Sequence, residues 1–117
     1  MKTSRAILSV ILIAASHNLW AQSVNVGPLT NPSSVASARQ TCATSAAALP
    51  TLALVNGVAV KALAANVTTV YVGGPGVTTS TGYPLAPGEA ISYGASNQNG
   101  VYLVCSNATD IVAFTGN

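Results

Sequence analysis

Val58–Tyr93 reads VAVKALAANVTTVYVGGPGVTTSTGYPLAPGEAISY, and the fold class follows from it. Val58, Val60 and Ala62 fall on one side of an extended chain, with Ala59, Lys61 and Leu63 on the other. Val70 and Val72 share a face opposite Thr69 and Tyr71, and Ile91 and Tyr93 repeat the pattern. A two-residue period is that of a β-strand with one buried face. Valine, isoleucine and tyrosine also fit a pleated, half-buried surface. The breaks carry turn chemistry, at Ala64-Ala65-Asn66 and at Gly73-Gly74-Pro75-Gly76. Ala86-Pro87-Gly88-Glu89 places Pro second and Gly third, as a type II turn requires. The Thr- and Ser-rich Val77–Tyr83 reads as an irregular edge.

Working outward, Ala95–Gly100 is a further turn, and Val101–Cys105 and Ile111–Phe114 are strands. Upstream, the apolar run Leu52–Val55 ends in Asn56-Gly57, a strong local signal for a hairpin. Arg39–Ser45 reads as the first strand, with Cys42 in it, and Leu49-Pro50 stops any helix because the residue before proline avoids the α region. The expected fold is all-β: a small antiparallel β-sandwich or barrel-like sheet of about six to eight short strands. A helical leader and an extended linker precede it. Residues 1–21 form the leader, 22–39 the linker and 40–117 the sandwich domain.

The leader has the three-part layout of a secretory signal. Lys2 and Arg5 give it a positive start, Ala6–Ala15 an apolar core, and Ala21 a small residue before Gln22. The apolar run spans about 15 Å as a helix, half of what a bilayer core of about 30 Å demands. A stable membrane span is therefore not expected. The alternative is a hydrophobic N-terminal arm that stays attached and packs on a partner. Cleavage after Ala21 would remove His17 and Trp20, the only His and Trp. The linker, QSVNVGPLTNPSSVASAR, is polar and without period.

The chain has 117 residues, of which 5 % are charged, against about 25 % in an ordinary soluble domain. Its formal charge of +2 resides in the leader. Beyond the leader, Arg39 and Lys61 cancel Glu89 and Asp110. A neutral surface exerts no pull on phosphates, which excludes a nucleic-acid binder. Near-zero net charge also favours self-association, so a homo-oligomer is expected.

Across the sandwich runs a recognisable order: Gly57-Val58-x-Val60-Lys61-Ala62, Asn66, Val70-Tyr71-Val72-Gly73-Gly74, Thr81-Gly82-Tyr83-Pro84-Leu85-x-Pro87-Gly88-Glu89-x-Ile91, Tyr102-x-Val104 and Asp110-x-Val112. It resembles the small β-sandwich modules of virion accessory proteins in tailed bacteriophages, of the head-decoration, head-fibre or tail-accessory type. The resemblance covers Gln40–Asn117 and rests on turn glycines and strand apolars. It implies a non-catalytic decoration protein acting through contacts with other virion proteins. A secretory leader departs from that pattern, because phage particles assemble in the cytoplasm. That departure opens a second expectation, a secreted or periplasmic binding module, lectin-like or adhesin-like, with cell-surface partners.

Cys42 and Cys105 are an even pair beside a secretory leader, the setting of a disulfide. A bridge would close a loop of about 60 residues, worth at most about 4 kcal/mol in the chain-entropy picture. The alternative is two buried thiols acting as small apolar fillers. Two thiolates without His or a nearby carboxylate leave tetrahedral coordination incomplete, so neither a metal nor another cofactor is expected.

The chain beyond the leader offers one Glu, one Asp, one Lys and no His. General acid–base chemistry needs a titratable group beside the reacting proton, and no base stands ready to activate a hydroxyl. No catalytic residue is assigned, and an enzyme is not expected. Glu89 is expected to cap its own turn or to pair with Lys61. Asp110 is expected to tie the turn Ser106–Thr109, with a Ca²⁺ role beside Asn107 as the remote alternative. Tyr71, Tyr83, Tyr93 and Tyr102 are candidate surface contacts for a protein partner or a glycan. Their alternative is a ring in the core with the hydroxyl at the rim. Asn66-Val67-Thr68 and Asn107-Ala108-Thr109 match the glycosylation acceptor pattern.

Overall fold

The structure, a computed structural model, describes residues 34–117. The leader and the first part of the linker lie outside the described residues. Eight strands follow one another: β1 Ala36–Thr41, β2 Ala47–Ala48, β3 Val58–Ala62, β4 Val70–Gly73, β5 Tyr83–Leu85, β6 Ala90–Tyr93, β7 Tyr102–Cys105 and β8 Ile111–Gly116. A 3₁₀ turn, Gln98–Gly100, precedes β7.

All pairings are antiparallel. One sheet has the order β1-β8-β3-β6 and the other β2-β7-β4-β5. First pairs with last, second with seventh, third with sixth, and fourth with fifth. The chain is thus one long hairpin whose two arms fold together across two layers, the topology of a jelly roll. Pairing continues where the arms cross between sheets. Leu49 N donates to the Val101 carbonyl at 2.9 Å, and Leu54 N to that of Ser96 at 2.9 Å. Gln98 N returns a bond to the Leu52 carbonyl at 2.9 Å.

The two-residue period holds. Val58, Val60 and Ala62 of β3 are buried while Lys61 between them is exposed. Val70 and Val72 of β4 meet Leu103 and Cys105 of β7, and Leu49, Leu85, Val101, Val112 and Phe114 complete the core. Each buried Val, Leu or Phe among them contributes about 1.5–3 kcal/mol by leaving water.

Several boundaries differ from the sequence reading. The first strand is Ala36–Thr41, not Arg39–Ser45, and Cys42 stands just past its end. Its residues are almost all exposed, so no apolar alternation marks them. Leu52–Val55 is not a strand. Only Ala53 bridges, to Asn97, because this segment crosses from one sheet to the other instead of reversing. Gly57 has φ +105°, but Asn56 does not share a positive φ, so no type I′ hairpin forms. The amides of Val55 and Asn56 instead donate to the Asn117 carbonyl, at 2.6 and 3.0 Å. After the break at Ala64-Ala65-Asn66, β4 starts only at Val70, because the amides of Val67 and Thr68 are drawn to a buried carboxylate. The turn at Pro87-Gly88 forms as expected. Gly88 has φ +91°, and Glu89 N donates to the Ala86 carbonyl at 2.9 Å.

Candidate functional site

Cys42, in the β1–β2 connection, and Cys105, at the end of β7, form a disulfide with Cα atoms 5.9 Å apart. Both are buried. The bridge links the outgoing and returning arms where both pass between the sheets. The backbone frames it, with Cys105 N donating to the Ala43 carbonyl at 2.9 Å and Cys42 N to that of Asp110 at 2.8 Å.

Beside it lies a polar corner that the sequence did not disclose. Asp110 is 1 % exposed. One carboxylate oxygen accepts Val67 N at 2.8 Å; the other accepts Thr68 N at 3.0 Å and the Thr68 hydroxyl. Burial pushes this carboxyl up, but the Thr68 hydroxyl and the two amides outweigh it and hold it below its ordinary value. Asn66 reinforces the corner, its amide nitrogen donating to the Ile111 carbonyl and its oxygen accepting Ile111 N, both at 2.9 Å. The side chain thereby imitates a strand neighbour. The expectation that Asp110 ties Ser106–Thr109 is corrected. Asn107 does so, accepting Thr109 N at 3.0 Å and the Thr109 hydroxyl at 2.8 Å. A Ca²⁺ role for Asp110 fails, because both carboxylate oxygens are spent on protein donors.

Glu89 does not reach for Lys61. Its carboxylate accepts Ala86 N at 2.9 Å, closing its own turn. Both side-chain carboxylates of the chain therefore serve backbone amides. Among the described residues, no three His, Cys, Asp or Glu side chains gather to hold a metal ion.

The four tyrosines separate. Tyr71 on β4 and Tyr102 on β7 take diagonal positions on the outer face of their sheet, both half-buried. The loop after β4 covers part of that face. Val77 is buried over Gly73, and a side chain at Gly82 would strike Tyr71 and Val77. Tyr83 on edge strand β5 is 56 % exposed. Tyr93 on edge strand β6 packs against the core, which fits the ring-inward alternative. Burial raises the Tyr93 phenol above its ordinary 10.0, and the charge of an ionised Tyr83 adds to the shift.

A broad concavity lies elsewhere, on the outer face of the β1-β8-β3-β6 sheet. The register there sets Arg39, Ala113, Lys61 and Ala90 in one row across the four strands. Ser37, Thr115, Ala59 and Ser92 form the next row. Ala59, Ala90 and Ala113 are too short to fill the space around Arg39 and Lys61, which leaves an apolar trough of about 580 Å³. Ser37 donates to the Thr115 hydroxyl at 2.8 Å on its rim. Sequence periodicity put Lys61 on an outer face but gave no sign that Arg39 shares its row, because register is a property of pairing.

Among the described residues no helix is long and apolar enough to cross a membrane. No protein-family model matches the chain, and neither the curated proteins nor the solved structures contain a match.

Proposed function

We propose that this chain is a non-catalytic interaction module that works outside the reducing cytoplasm. The observation that carries this reading is the buried Cys42–Cys105 bridge between the two arms of the fold. Such bonds persist in oxidising compartments and are reduced in the cytosol. The signal-like start at Met1–Ala21 points to the same destination. The employment of Asp110 and Glu89 supports the non-catalytic part, since each holds backbone amides and neither is presented to a reacting group. A module of this kind acts by contact, as a lectin-like or adhesin-like binding domain does.

A second reading, the virion accessory or decoration protein, is favoured by the strand order. Jelly rolls of two four-stranded sheets serve both in viral capsids and in lectins. A fold hosts many functions, so this order supports the reading by analogy.

Intact-mass analysis of the protein from its native source tests both. A chain starting at Gln22 and lighter by two hydrogens than the reduced form is the outcome expected of the exported module. An unprocessed chain with free thiols, found in purified phage particles, favours the second reading and overturns the first.

A further inference from the structure

We propose that the trough on the outer face of the β1-β8-β3-β6 sheet binds a monomeric organic anion, an apolar body ending in a carboxylate. The proposal rests on the interaction-module reading and names a ligand class for it. Arg39 and Lys61 are the only cationic side chains beyond the leader, and pairing sets both in one row with Ala113 between them. Neighbouring strands lie about 4.8 Å apart, so the two backbones are about 10 Å apart. Each long side chain spans half that distance with ease, and both heads reach an anion above Ala113.

Surface protection accounts for only half of this arrangement. Charges that guard a sheet belong on edge strands, as Arg39 on β1 does, but Lys61 is on β3, an interior strand. Nor do the neighbours neutralise the cations, because the lining includes neither carboxylate and Glu89 is turned into its own loop. Ala113 between the cations, with Ala59 and Ala90 beside Lys61, leaves room where valine or threonine would fill it, and the volume is that of a small-ligand site. A second copy of the same face would set like charges opposite one another. None of the four tyrosines faces this trough, so it offers no aromatic platform for a sugar ring. An apolar floor between two cations complements an alkyl chain with one terminal negative charge.

The test is an amide NMR titration of the folded, oxidised protein with octanoate, octanol and octyltrimethylammonium. Octanoate is expected to shift the signals of Ala59, Ala90 and Ala113. Octanol is expected to bind more weakly, and the cationic amphiphile to leave these signals in place. Arg39→Gln and Lys61→Gln are each expected to weaken octanoate binding by about three- to fivefold, with the remaining spectrum intact because both side chains are exposed. Equal binding of the cationic amphiphile overturns the proposal. So do undiminished affinity in both variants, shifts confined to another face, and a preference for anionic phospholipid vesicles over free octanoate. None of these outcomes alters the mass or thiol state on which the interaction-module reading is judged.

Discussion

Thr68 and Asp110 hold one another across 42 residues of chain, through both the amide and the hydroxyl of the threonine. The contact fastens the β3–β4 crossing to the end of the β7–β8 crossing, and Val67 N adds a third bond at 2.8 Å. Asp110→Asn keeps the shape but turns one acceptor into a donor facing donors. Leaving such groups unpaired in a buried corner costs about 2–3 kcal/mol, which urea unfolding at neutral pH will read. Thr68→Val, which removes only the hydroxyl, is expected to cost less.

The same corner predicts an acid dependence. The folded state holds the Asp110 carboxyl below its ordinary 3.8, so the unfolded chain takes up the proton first as pH falls. Its contribution is complete well above 3.8 and is lost progressively below that value, as pH approaches the lowered folded value. Urea midpoints measured from pH 6 down to pH 2 should fall in the parent and fall less steeply in Asp110→Asn. Equal slopes in the two proteins would place the acid sensitivity elsewhere.

Gly57 and Gly88 both have positive φ, at +105° and +91°, but they differ in surroundings. A side chain at Gly57 would run into the Tyr93 carbonyl oxygen, whereas one at Gly88 meets only the Ala64 methyl at 4.0 Å. Gly88→Ala therefore bears the conformational penalty alone, about 1 kcal/mol. Gly57→Ala adds a backbone clash where β3 begins against β6, and is expected to cost at least about 3 kcal/mol. Thermal unfolding of the two variants side by side checks the ordering.

Local pattern made the interior legible and left the corners dark. Val58, Val60, Val70 and Val72 announce buried faces because alternation is written in neighbouring residues. Pro87-Gly88 announces its turn because proline and glycine fix φ by themselves. β1 carries no such mark. Its inward positions, Ala36, Ala38 and Gln40, are small or polar, and it is a strand because β8 offers a partner edge. Asn56-Gly57 misled because the same dipeptide suits any tight entry into a strand, and long-range pairing to Asn117 decided its use. Asp110 and Arg39 were visible as residues, yet their partners lie 42 positions away in one case and two strands away in the other. No local rule carries that information.

Tyr93 gives a prediction at the alkaline end. Its phenol is raised by burial and then by Tyr83, so the folded state keeps its proton after the unfolded chain has lost it. Stability attached to this group is present below pH 10 and declines above it. Absorbance titration of the phenolates should show one late-ionising tyrosine that disappears in Tyr93→Phe. Tyr83→Phe should move it part of the way down, because one of the two causes is then gone.

The last prediction concerns Cys42 and Cys105, whose bond spans a sequence separation of 63 residues. It joins the arms at their first crossing between sheets, next to the outermost pair β1–β8, so the β2–β7, β3–β6 and β4–β5 pairings lie within the closed loop. In the chain-entropy model such a loop is worth about 4 kcal/mol, a large part of the 5–15 kcal/mol that holds a typical domain together. The double variant Cys42→Ala with Cys105→Ala should therefore lose about 2–4 kcal/mol in urea unfolding. Reduction of the parent should lose a comparable amount while leaving the thiols in place as core fillers. If reduction costs nothing measurable, the bridge contributes packing alone, and a reducing compartment becomes as hospitable to this fold as an oxidising one.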